Sequence, residues 1–323
     1  MRTITIGGLD TTQLTLRDGL PLPVLDDVVP VYTYAADCLK QAVAERRGVA
    51  LCSPAGGGKT LSTQRVLRRF QAAEEARCKK EATYIPRRAV YVSTVRADTP
   101  RALYGELFHA AFDEPLQDRL RGRVRGDEQL RDDLINRCTE ERVVAFVVDE
   151  AQTLTATALA ALRDLMAMAE SKDVARFGSA DTADGAAEEA ARPAGIGVLL
   201  VGTFALERTL AGAEELGRRW LRVERVGLMA ANDVPAAMQR MLPAFAAGAV
   251  AMGTAWPGMV REVLQCTDEC PVAALVDITR AYVRRASEQD AAVKRAADLP
   301  WDEDLLRLVG MERATALVLG EAA

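Results

Sequence analysis

Val49-Ala50-Leu51-Cys52 is a short apolar run that stops at Ser53-Pro54-Ala55-Gly56-Gly57-Gly58-Lys59-Thr60. A run of that length closed by a glycine-rich turn predicts a buried strand. From Lys59 the period changes: Leu61, Val66, Leu67 and Phe70 recur at helical spacing, predicting a helix to about residue 81. The switch repeats down the chain. Residues 89–95 read as a strand through Val90, Tyr91, Val92 and Val95, and Pro100 opens a helix to about residue 112, in line with the fit of proline in a first turn. A helix over 127–140 follows. Residues 143–148 are wholly apolar, the composition of a strand buried on both faces of a parallel sheet. Asp149-Glu150 ends it, and a helix is predicted over 155–169. Residues 197–201 form another apolar strand, closed by Gly202-Thr203; a helix, the pair Arg218-Arg219 and a strand over 221–226 come next.

Strands alternating with helices predict βαβ units and a parallel sheet. Before them, residues 1–30 are weakly patterned: residues 3–6 alternate like a short strand, and Pro21, Pro23 and Pro30 punctuate an extended arm. A helix over 33–46 follows. Residues 170–195 are rich in Ala, Gly, Asp and Glu without apolar period, and predict a mobile insertion. From Asn232 the pattern is helical, broken at Pro243, Gly253, Pro257 and Pro271. The expected organisation is an arm (1–30), an α/β domain (31–228, insertion 170–195 included) and a helical lid with a C-terminal tail (229–323).

Composition narrows the setting. No apolar run is long enough to span a membrane and the N-terminus has no signal pattern, so a cytoplasmic protein is expected. Six scattered cysteines in a chain this size read as reduced thiols. Cys266 and Cys270 are predicted one turn apart on a helix; the single histidine, His109, lies far away in an amphipathic helix, so no zinc site is expected. A net charge of −5 gives no global attraction to nucleic acid, which leaves such binding to a local basic patch.

Strand, glycine-rich loop and helix in that order are the context of a phosphate-binding loop. Glycines let successive N–H groups point at an anion, and the new helix adds its positive end. Residues 53–61 (Ser53, Pro54, Ala55, Gly56, Gly57, Gly58, Lys59, Thr60, Leu61) would hold the phosphates of ATP, with Lys59 on the β- and γ-phosphates and the Thr60 hydroxyl on Mg²⁺. The usual pattern begins with glycine, and here Ser53 takes that place, which predicts some strain in the turn. Asp149 would complete the Mg²⁺ shell and Glu150 would polarise the attacking water. The alternative for both is a solvated strand end or helix cap. Tyr32 and Tyr34 either face the base or cap the core.

This order of motifs resembles AAA+ ATPases over about residues 30–285. Asp149-Glu150-Ala151-Gln152 and Val198-Leu199-Leu200-Val201-Gly202-Thr203 are similar to the bacterial branch that contains TnsC, TniB, MuB and ExeA. The resemblance implies a P-loop NTPase fold: a parallel sheet flanked by helices, with a C-terminal all-helical lid. It places Thr203 where a polar sensor reads the γ-phosphate, unless Thr203 only ends a strand. It places Arg218 or Arg219 where an arginine finger acts on the ATP of a neighbouring subunit, the alternative being a surface pair. Gly258-Met259-Val260-Arg261 resembles the lid motif whose arginine, here Arg261, reaches the γ-phosphate. A finger in trans implies a homo-oligomer, either a hexameric ring or a helical filament.

TnsC-type relatives bind duplex DNA without sequence preference, recruit a transposase and meet a target-selection protein. Arg119, Arg121, Arg123 and Arg125 alternate in one connection, and Arg96 and Arg101 follow the second strand; spaced arginines fit phosphate contacts. The alternative is a solvated loop paired with Asp113, Glu114, Asp118 and Asp127. Read this way the chain is an ATP-dependent regulator of DNA transposition; the alternative is an ExeA-like or signalling ATPase that acts on a protein without DNA.

Overall fold

The computed structural model describes residues 29–93, 97–113, 126–177, 195–211, 220–289 and 299–319. It divides into two compact units. One comprises Val31–Pro54 and Lys59–Val226; the other holds Gly227–Ala323 together with the short stretch Ala55–Gly58.

The first unit begins with α1 (Pro30–Glu45) and β1 (Gly48–Cys52), followed by α2 (Lys59–Lys80), β2 (Arg88–Ser93) and α3 (Pro100–Phe112). Then come α4 (Asp127–Glu140), β3 (Val143–Asp149), a 3₁₀ turn (Ala151–Thr153), α5 (Ala156–Phe177), β4 (Gly197–Gly202), α6 (Phe204–Ala211) and β5 (Trp220–Arg225). The strands form one sheet in the order β2-β3-β4-β1-β5, every pairing parallel. β1, β3 and β4 are buried at every position, as their unbroken apolar runs require of strands covered on both faces.

Helix α1 is seated closely on this sheet. Val31, Ala35, Cys38, Leu39 and Ala42 form its buried stripe. Its C-terminal end is tied by Arg46 Nη1 donating to Val144 O at 2.6 Å. Gly197 opens β4 because a Cβ there would lie 2.0 Å from the Ala42 carbonyl oxygen. Tyr32 is buried, with the Arg69 guanidinium 5.2 Å from its ring centre, whereas Tyr34 is exposed.

One element of this unit departs from the sequence pattern. Helix α5 runs to Phe177, two turns beyond the predicted end, so residues 170–177 are helical and not irregular insertion. Residues 178–194 lie outside the described residues.

Helix α2 carries a buried acid. Glu74 accepts from Arg87 through Nη2 at 2.6 Å and through the backbone N–H at 2.9 Å, and it also accepts from the Tyr84 hydroxyl. Burial pushes its carboxyl up, but these hydrogen bonds outweigh burial and bring it from 4.5 down to about 2. A depressed carboxyl adds stability that is fully present above its unfolded value and is lost as pH falls toward its folded one. Glu74→Gln should therefore lower stability at pH 7 by about 1–3 kcal/mol. The gap to wild type should close as pH drops from 4.5 toward 2, which urea unfolding at a series of pH values checks. A constant gap would place the loss elsewhere.

The second unit pairs two short strands, β6 (Met229–Ala230) and β7 (Glu269–Cys270), in antiparallel register. Around them stand α7 (Val234–Met241), α8 (Pro243–Met252), α9 (Trp256–Leu264), α10 (Val272–Gln289) and α11 (Glu303–Leu319). Aromatic edges fill its core: Trp256 meets Trp301 at 5.6 Å and Phe245 meets Tyr282 at 5.0 Å between ring centres. Cys266 and Cys270 do not share a helix. Gln265 takes a left-handed φ of 53° and ends α9, and Cys270 sits in β7. The stretch Ala55–Gly58 belongs here through the Ala273 N–H, which donates to Gly56 O at 3.1 Å.

Candidate functional site

In an open parallel sheet, ligands bind beyond the carboxyl ends of the strands. Here the ends of β1, β3 and β4 are neighbours and carry Ser53, Asp149-Glu150 and Gly202-Thr203. β1 stops as predicted. Ser53 N–H donates to Gly202 O at 3.0 Å, and the chain leaves the sheet. Gly56 and Gly58 then take φ of +75° and +85°, values glycine adopts at no steric cost. Ser53 does not have a positive φ, so the expected strain of serine in the first position does not arise. Its side chain is wholly buried and its Oγ has no partner among the described residues, the state of a group that a bound anion or water satisfies.

Lys59 opens α2 almost fully buried. Its Nζ donates to the carbonyls of Ser53 and Pro54, both at 2.8 Å. Burial lowers its pKa, while Glu150 and Asp149 pull it the other way, so the ammonium lies within the field of both carboxylates. Thr60, next in the helix, is exposed and donates from Oγ1 to Asp149 Oδ2 at 2.6 Å.

Asp149 is the buried end of β3. Its Oδ2 also accepts from the Tyr91 hydroxyl at 2.6 Å, and its Oδ1 accepts from the Glu150 N–H at 2.9 Å. These bonds compensate a carboxylate taken out of water. Burial, and the carboxylate it donates to, push the Tyr91 phenol up. Glu150 turns the chain with φ of 55°, unusual for a non-glycine residue and held by the Thr153 N–H and hydroxyl, which donate to its carbonyl at 2.9 and 2.8 Å. Beyond the turn, Gln152 Nε2 donates to Glu150 Oε2 at 2.5 Å, and its Oε1 accepts from the Thr203 N–H at 3.1 Å.

The donor set fits an Mg²⁺ ion next to a triphosphate. Thr60 gives its hydroxyl hydrogen to a buried carboxylate, which leaves the oxygen lone pairs for a cation. One hydroxyl and one carboxylate leave the remaining positions of an octahedral ion to phosphate oxygens and water.

The structure thus brings together Lys59, Thr60, Asp149, Glu150 and Thr203 from stretches far apart in sequence. Thr203 also opens α6, its Oγ1 accepting from the Ala205 N–H at 3.4 Å. Leu61 lies half-buried in the first turn of α2. Arg101 is half-buried in the first turn of α3. Arg261 belongs to the C-terminal unit, on α9, where its Nε donates to Pro257 O at 3.2 Å. Arg96, Arg119, Arg121, Arg123, Arg125, Arg218 and Arg219 lie outside the described residues.

Two contributors escape a reading by motif. Tyr91 reads as one more bulky strand residue, yet its hydroxyl reaches Asp149 on the neighbouring strand. Gln152 reads as the last letter of an acidic motif, yet its amide joins two strand ends. For Tyr91 the only sequence signal is a hydroxyl-bearing residue set between Val90 and Val92 in the middle of the strand.

The family model described as an AAA domain matches residues 43–210, over half of the chain. No curated protein matches the sequence. Among solved structures, the ORC2 protein of Aeropyrum pernix in its ADPNP–ADP complexes is similar at a TM-score of 0.58 and 15% identity, covering 91% of this chain and 70% of that one. The ADP form of the same protein is similar at a TM-score of 0.52 and 16% identity, covering 87% of this chain and 67% of that one. At such identities the likeness is one of fold: a parallel five-stranded P-loop NTPase sheet flanked by helices.

Proposed function

Because the chain belongs to the AAA domain family, we propose that it is an Mg²⁺-dependent ATPase whose nucleotide state governs assembly on duplex DNA during transposition. The ATPase reading is carried by the 2.6 Å hydrogen bond between Thr60 and Asp149, with Lys59 and Glu150 adjacent to it in the chain. The solved ORC2 structures that share this fold hold ADPNP and ADP, which supports a nucleotide as the ligand here. Lys59 and the loop amides would hold the phosphates, and Thr60 and Asp149 would hold Mg²⁺, which would supply positive charge to offset that of the triphosphate. Glu150 accepts a proton from water as the water oxygen bonds to the γ-phosphorus. The bond from that phosphorus to the bridging oxygen breaks, releasing ADP and phosphate. Thr203, at the end of β4, senses the γ-phosphate.

The DNA reading rests on the alternating Arg119, Arg121, Arg123 and Arg125, with Arg96 and Arg101, and on the resemblance of the acidic motif to the transposition branch. In this reading Arg218 or Arg219 completes the site of a neighbouring copy, so the working form is a ring or filament that recruits a transposase. Duplex DNA should raise ATP turnover severalfold at low salt. Changing Arg121, Arg123 and Arg125 together to alanine should abolish that stimulation and flatten the salt dependence of DNA binding by about one unit of slope per lost contact. Turnover indifferent to duplex, or a triple variant that binds DNA as before, would contradict the DNA role and favour an ATPase that acts on a protein alone.

A further inference from the structure

We propose that Gln152 is a positioning residue for hydrolysis: its amide fastens the Glu150 carboxylate to the end of β4 at Thr203. The inference rests on the assignment of Glu150 as the group that activates water, and it gives that group a mechanical dependence on the neighbouring strand.

Glu150 needs an external restraint. It follows the last residue of β3, its backbone is in the left-handed region, and its side chain is half-buried. Asp149, by contrast, is held by two hydroxyls and an N–H. The one hydrogen bond described to the Glu150 carboxylate comes from Gln152 Nε2, at 2.5 Å. The other end of the same amide is committed: Oε1 accepts from the Thr203 N–H at 3.1 Å, across 51 residues of sequence. A primary amide is the side chain that can donate with one end and accept with the other, so each bond fixes the orientation that the other requires.

The strand end is shaped for this bridge. Gly202 precedes Thr203, and a Cβ at that position would lie 2.7 Å from Gln152 Oε1. Any other residue there would displace the amide from its place. The site therefore includes a small relay. Thr203 lies at the strand end proposed to read the γ-phosphate, and movement of its backbone N–H is carried by Gln152 to the carboxylate that polarises water.

Two variants separate the ends of the bridge. Gln152→Ala removes both. Gln152→Glu keeps an acceptor for the Thr203 N–H and loses the donor to Glu150. ATP turnover under saturating Mg·ATP, affinity for a non-hydrolysable ATP analogue and hydrogen exchange of the Thr203 amide are measured for wild type and both variants. Gln152→Ala should lower kcat about 10–100-fold, the usual cost of removing a supporting partner of an active group. Its analogue affinity should stay within about threefold, and its Thr203 amide should exchange faster. Gln152→Glu should lose kcat to a similar degree while the Thr203 amide stays protected. On a Glu150→Gln background, Gln152→Ala should cost no further turnover, because the residue acts through the carboxylate already removed. Near-wild-type kcat in either single variant, a faster Gln152→Ala enzyme, or full additivity with Glu150→Gln would overturn the inference while leaving the ATPase reading intact. A wild-type protein that turns over no ATP would overturn both.

Discussion

Replacing Lys59 with alanine should weaken ATP binding about 100-fold or more and abolish turnover. Lys59 is the buried cation of the loop, and its field already meets Asp149 and Glu150. Truncating one member of a desolvated charge pair costs several kcal/mol, and every 1.4 kcal/mol is tenfold in affinity. The fold should survive the change. Nζ bonds only to the carbonyls of Ser53 and Pro54 among the described residues, and each such bond adds about 1 kcal/mol. Titration with a fluorescent ATP analogue, alongside a thermal melt, separates the two effects. Wild-type affinity in Lys59→Ala would mean that the glycine-rich turn is a turn and no more.

Glu150→Gln should behave in the opposite manner. The substitution keeps the size of the side chain and keeps a carbonyl oxygen to accept from Gln152, so the turn pinned by Thr153 stays in place. What it removes is the capacity to take a proton from water. Loss of a positioned general base costs about 10²–10⁴-fold in rate. ATP should bind within a few-fold of wild type and persist unhydrolysed, so a single-turnover assay should show slow phosphate release from an enzyme that is saturated. Unaltered release would return Glu150 to the status of a capped strand end.

The contrast between these two variants follows from where each residue sits, and much of that placement is legible in the chain itself. The runs 49–52, 143–148 and 197–201 are apolar throughout because their strands are covered on both faces. Pro100 and Asp127 start α3 and α4 where the pattern changes period. The pairing of Lys59-Thr60 with Asp149 is legible too, since a loop, a strand and an acidic strand end in that order have few arrangements in a parallel sheet.

What escapes the pattern does so for physical reasons. Residues 170–177 lack an apolar stripe, yet they contain no glycine or proline, so α5 continues through them on propensity. β6 and β7 are two residues each, too short for any periodicity, and they exist only by pairing Met229 with Cys270. The left-handed Gln265 that separates Cys266 from α9 has no side-chain signature. Tyr91 and Gln152 find their partners 58 and 51 residues away, a distance at which only the strand order brings them together.

The most direct measurement is calorimetric titration of the wild-type protein with ATP in the presence and absence of Mg²⁺. One saturable site per chain, weakened when Mg²⁺ is withheld and absent in Lys59→Ala, is the result predicted from the arrangement of Lys59, Thr60 and Asp149. No binding of ATP by a folded wild-type chain, or binding that ignores both the ion and Lys59, would contradict it.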